Sequence, residues 1–102
     1  MKSLSILSVV GFLLAVSNAN AQDCGEYVIL GCFKDVQSAQ ARSNNLGGAL
    51  VLDTSSPRYP NFSPGWFCAA QGPYAPGSAA SDQTKRYWQA NGIPDAYIKN
   101  AC

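Results

Sequence analysis

The chain has 102 residues, with seven Lys+Arg against six Asp+Glu and no histidine. That length holds one small domain at most, and a formal charge of +1 excludes a strongly basic nucleic-acid binder or an acidic tail. Without histidine there is no His-based triad, no Cys–His dyad and no His-containing metal site.

Residues 1–21 read as a signal peptide rather than as part of the fold. Lys2 gives a positive start, Leu4 to Val16 is apolar apart from Ser5, Ser8 and Gly11, and Ala19-Asn20-Ala21 places small residues where signal peptidase needs them. A membrane helix is the competing reading, but spanning a bilayer takes about 20 apolar residues, more than this run supplies. The expected mature domain is 22–102, and without Lys2 its charge is near zero. Leu30-Gly31-Cys32 looks like the end of a lipobox. It lies beyond the apolar run, with Asp23 and Glu26 between, so no lipid anchor is read from it. The expectation is an exported protein, periplasmic or extracellular, and not membrane-embedded.

Tyr27 to Phe33 (YVILGCF) is a short apolar run bounded by polar residues and predicts a buried strand. Asp35 can N-cap a helix on which Val36, Ala39, Ser43 and Leu46 recur at helical spacing, and Gly47-Gly48 stops it. Ala49 to Asp53 predicts a second strand. Thr54 to Gly65 carries Pro57, Pro60 and Pro64, which break both ladders and helices, and predicts a loop. Trp66 to Gln71 predicts a third strand, ended by Gly72-Pro73. Ser78 can cap a helix over 79–91 that stops at Gly92 with Pro94 beyond, and Ala96 to Ala101 predicts a last strand.

The order β-α-β-β-α-β is that of an α+β split sandwich of the ferredoxin-like or RNP-like kind, with a four-stranded antiparallel sheet and two helices on one face. Right-handed crossovers give the sheet order 4-1-3-2, with strand 1 between strands 3 and 4. The four cysteines, at 24, 32, 68 and 102, are an even set in a short exported chain and predict two disulfides, with three possible pairings. A zinc site would show paired CxxC knuckles, which these spacings lack. Topology selects the pairing. The end of strand 1 lies beside the start of strand 3, giving Cys32–Cys68. The start of strand 1 lies beside the end of strand 4, giving Cys24–Cys102.

Four segments resemble the SPOR (sporulation-related repeat) family. Tyr27 to Phe33 resembles its opening strand, and Pro64 to Tyr74 (PGWFCAAQGPY) its third strand, which ends in G-P-F or G-P-Y. Ser78 to Gly92 occupies the place of its second helix, and Pro94 to Lys99 that of its closing strand. The resemblance spans residues 27–101. It implies a non-catalytic bacterial envelope module that binds peptidoglycan glycan strands, preferably stripped of stem peptides, on the exposed face of the sheet. Ile29 and Cys32 stand where the family often has Gln and Ser.

Strict alternation puts Val28, Leu30, Cys32, Trp66, Cys68 and Ala70 on one face, and Ile29, Gly31, Phe33, Phe67, Ala69 and Gln71 on the other. Both sets are largely apolar, so alternation leaves open which face the helices cover. The resemblance places Ile29 and Gln71 on the binding face and allows a sheet-face aromatic at Tyr97. Trp66, beside the proline-rich loop, and Tyr59, at its tip, are further ligand-binding candidates; core or loop packing is the competing reading for each. Asn61-Phe62-Ser63 matches the N-glycosylation sequon. Arg58, Lys85, Arg86 and Lys99 could meet an anionic polymer but read as scattered surface charge. The six carboxylates fall mostly at caps and turns, and no glycine-rich loop opens a helix, so no catalytic residue, metal or cofactor is expected. The rival function is a small secreted protein-interaction or inhibitor module without glycan affinity, with an envelope protein as its candidate partner.

Overall fold

Capping residues and glycines divide the chain into six elements. The computed structural model describes residues 23–102; the predicted signal peptide and Gln22 lie outside them. The elements are β1 (Glu26–Phe33), α1 (Val36–Asn45), β2 (Leu50–Asp53), β3 (Phe67–Tyr74), α2 (Ala79–Ala90) and β4 (Tyr97–Asn100). The sheet runs β2-β3-β1-β4 with every neighbour antiparallel, the order expected from the connections. Both expected disulfides are present, Cys24–Cys102 and Cys32–Cys68, with Cα atoms 5.2 and 4.0 Å apart.

The helices start where their caps allow. Asp35 Oδ1 accepts from the Ser38 amide at 2.8 Å and its Oδ2 from the Ser38 hydroxyl at 3.0 Å, which holds the carboxyl below its ordinary pKa. Helix α1 buries Ala39 and Ser43 against the sheet, and the Ser43 hydroxyl donates to the Ala49 carbonyl. Ser78 caps α2 by accepting from the Ser81 amide at 3.3 Å. The buried Ser81 hydroxyl donates to Glu26 Oε1 at 2.8 Å and ties α2 to β1.

Two bulges depart from the alternation read in the sequence. β3 starts at Phe67 and does not stop at Gly72-Pro73 but continues to Tyr74. Glu26 pairs with Tyr74 and Val28 with Gln71, so two steps of β1 oppose three of β3. Proline has no amide to give a ladder and fits at such an irregularity. Gly72 has φ +141°, and a Cβ there would lie 2.7 Å from the Glu26 carbonyl oxygen. The second bulge is at Gly31. Ile29 pairs with Ala70 and Cys32 with Cys68, three steps against two. Gly31 has φ +137°, and the Arg42 guanidinium occupies the space a side chain would need, donating to the Leu30 carbonyl at 2.6 Å.

The extra residue changes which side chains share a face. Val28, Leu30 and Ala69 pack with Leu46, Trp88 and Ile98 on the helix side. Tyr27, Ile29, Leu52, Cys68 and Ala70 form a second core on the opposite side, with Cys32 packed against it. Cys32 therefore joins Ile29 rather than Val28 and Leu30, and Gln71, paired with Val28, lies on the helix side rather than with Ile29. The expected grouping fails because alternation assumes an unbroken pleat.

The proline-rich loop covers the second face. Tyr59 and Phe62 pack onto it, with the Tyr59 ring edge-on to Tyr27 at 5.9 Å. The loop is pinned at both chain ends. The Asp23 amide donates to the Arg58 carbonyl at 3.0 Å, and the Asn61 amide donates to the Ala101 carbonyl at 3.0 Å. Asn61 Nδ2 donates to the Asn100 carbonyl at 2.9 Å. The loop thus serves as a third layer, with helices on the other side of the sheet.

Tyr27, only 1% exposed, donates its hydroxyl to the Asp23 carbonyl at 3.1 Å. Burial first, then the nearby Tyr59 and Asp23, push its pKa from 10.0 up to about 12. The native state favours the neutral phenol, so its contribution to stability is complete below pH 10 and is lost as pH rises through about 12. Denaturant midpoints taken from neutral pH into this range are expected to fall, and Tyr27→Phe is expected to flatten the fall, leaving the part due to Tyr59 and Tyr97, whose pKa values burial also raises.

Candidate functional site

The loop leaves one end of the second face open. A cleft of about 300 Å³ lies there, lined by Cys32, Thr54, Phe62, Ser63, Trp66, Cys68, Tyr97 and Lys99. That is the lower end of the range for small-ligand sites. The Cys32–Cys68 bond joins two directly opposed residues of β1 and β3 and forms part of its wall.

Backbone clamping sets the Trp66 ring. The Thr54 amide and hydroxyl both donate to the Trp66 carbonyl, at 2.9 and 3.0 Å, and Thr54 Oγ1 accepts from the Trp66 amide at 2.9 Å. The Gly65 amide next to it donates to Ser55 Oγ at 2.8 Å. Trp66 nevertheless stays 37% exposed. Lys34 Nζ sits 3.9 Å from the centroid of its ring. Tyr97, opposite Ile29 on β4, is 48% exposed, and burial of its inner side raises its pKa, so its hydroxyl is protonated near neutral pH. Lys99, two residues further along the same strand face, has its ammonium 5.8 Å from the Phe62 ring centroid.

Of the residues singled out in the sequence, Trp66 and Tyr97 meet in this cleft. Ile29 is 1% exposed, lies under the loop in the second core, and presents no surface to a ligand. Tyr59 packs between Tyr27 and Phe62 as part of the cover. Gln71 is under α2, where its Oε1 accepts from Trp88 Nε1 at 2.8 Å. There it lines a shallower depression with Gln83, Thr84, Tyr87 and Trp88. Sequence reasoning missed Phe62 and Lys99 as partners of Trp66 and Tyr97. Lys99 shares the face of Tyr97 by simple period-two spacing, so that signal was present.

The cleft offers aromatic faces, the hydroxyls of Ser63 and Tyr97, and one ammonium, with no carboxylate in its lining. All four cysteine sulfurs are in disulfides, so it carries no thiolate to ligate a metal. Among the described residues no helix is long and apolar enough to cross a membrane. No family model, curated protein or solved structure matches the chain.

Proposed function

We propose that the chain is an exported, non-catalytic binding module of SPOR type that holds peptidoglycan glycan strands in the cleft beside the Cys32–Cys68 bond. The carrying observation is the meeting of two exposed aromatic rings, Trp66 and Tyr97, with hydroxyl groups in one cleft. Sugars present C–H faces that stack on such rings and hydroxyls that need oriented polar partners. The α+β order is compatible with the family, and two disulfides fit a periplasmic or extracellular setting. The ligand site is displaced from the sheet centre, where the loop covers Ile29, to the open end.

Co-sedimentation of the oxidised protein with peptidoglycan sacculi tests this. Enrichment on sacculi stripped by amidase is expected. Trp66→Ala is expected to weaken binding about tenfold and, because most of the residue is buried, to lower the thermal midpoint as well, so binding is compared at a temperature where both proteins are folded. Absence of binding to both stripped and untreated sacculi rejects the reading. It would favour the protein-interaction module instead, for which the loop cover and the exposed Leu50 on edge strand β2 are the supporting features.

A further inference from the structure

We infer that the helix side of the sheet carries a second ligand site, separate from the cleft, and that it takes a neutral sugar. Between β3 and α2 lies an open depression of about 430 Å³ lined by Gln71, Gln83, Thr84, Tyr87 and Trp88. That volume is within the range of small-ligand sites. The depression and the cleft share no lining residue, and they lie on opposite sides of the sheet.

The polar groups are oriented from within. An indole N–H only donates, so the 2.8 Å bond from Trp88 Nε1 takes the carbonyl end of the Gln71 side chain and leaves Nε2 as a donor. Nε2 has no hydrogen-bond partner among the described residues, and neither has the side-chain amide of Gln83 nor the hydroxyl of Tyr87. Thr84 Oγ1 donates to Tyr74 Oη at 3.1 Å and fixes that wall. Tyr87 is 57% exposed, and its ring meets Trp88 edge-on at 5.0 Å, so the two make a corner of apolar surface.

Charge narrows the ligand class. No ionic side chain lines the depression, and those of α2, Asp82, Lys85 and Arg86, bond to one another. A charged ligand would find no counter-ion there. A purely apolar ligand would cover the Gln71 and Gln83 amides and leave them unpaired. A neutral sugar satisfies both demands, with C–H faces for the rings and oxygens for the amides. The site does not depend on what the cleft holds.

Proton–nitrogen NMR of the oxidised protein tests this, because the two indoles of 23–102, Trp66 and Trp88, report one site each. The probe is chitotetraose, an uncharged oligomer of an N-acetyl sugar. The Trp88 indole and the Gln71 side-chain amide are expected to shift on titration. Tyr87→Ala is expected to weaken that response about tenfold and to leave the Trp66 signal as in wild type. The position is exposed on a helix, and unchanged β1 and β3 amide signals check that the variant folds. Shifts confined to Trp66, or none at all, overturn the second site. An undiminished Trp88 response in Tyr87→Ala overturns the site as assigned, and a parallel loss at Trp66 overturns its separateness. A Trp88 response to a proline-rich peptide but not to the sugar overturns the ligand class.

Discussion

Ile29→Gln is expected to lower stability by about 3 kcal/mol without improving glycan binding. The substitution restores the residue type that the SPOR resemblance places on strand 1. Its outcome therefore separates an open sheet face from a covered one. Ile29 is 1% exposed and belongs to the core of Tyr27, Leu52, Cys68 and Ala70 that Tyr59 and Phe62 cap. The variant loses the transfer free energy of a buried aliphatic side chain. It also brings in an amide whose unmet hydrogen bonds cost about 1–3 kcal/mol. Ile29→Val, which keeps the site apolar, is expected to cost about 1 kcal/mol. Urea midpoints give both values. A Gln variant of unchanged stability that binds stripped sacculi more strongly would show that the loop leaves the sheet face, and would move the site from the cleft to the sheet centre.

The topology was legible because its signals are local and agree with one another. Asp35 and Ser78 cap the helices as read, the apolar runs between them are the strands, and antiparallel neighbours bring the cysteines into the observed pairs. The faces were not legible. Gly72-Pro73 reads as a stop although β3 runs through it to Tyr74, and Gly31 stands inside a strand-like run, where a glycine fits either a regular pleat or a bulge. Only the register against β3 and the guanidinium of Arg42 distinguish the two. One inserted residue moves Cys32 to the side of Ile29 and parts Ile29 from Gln71. Three prolines announced a loop, but proline says nothing of where a loop folds. The aromatic rings of Tyr59 and Phe62 within it were the available hint, since such rings gain by burial. Trp66 and Tyr97 were identified as candidates. Their shared cleft was hidden because it exists only once the loop lies across the sheet.

Cys24→Ala/Cys102→Ala is expected to cost up to about 4.5 kcal/mol, a large fraction of the roughly 5–15 kcal/mol that holds a domain folded. The bond spans a sequence separation of 78, so the chain-entropy account gives it slightly more weight than Cys32–Cys68, whose separation of 36 corresponds to about 4 kcal/mol. The two losses fall in different places. Cys24 and Cys102 join the terminal segments to which the loop is pinned, through Asp23 to Arg58 and through Asn100 and Ala101 to Asn61. Without that bond the ends fray and both anchors weaken, so hydrogen exchange at the Asp23 and Asn61 amides is expected to accelerate well before the β1 and β3 amides follow. Cys32→Ala/Cys68→Ala leaves the anchors in place and removes part of the cleft wall. Its loop amides are expected to stay protected relative to the sheet while sacculus binding falls. Equal protection of the loop amides in the two variants would mean that packing of Tyr59 and Phe62, rather than the joined termini, holds the loop across the sheet.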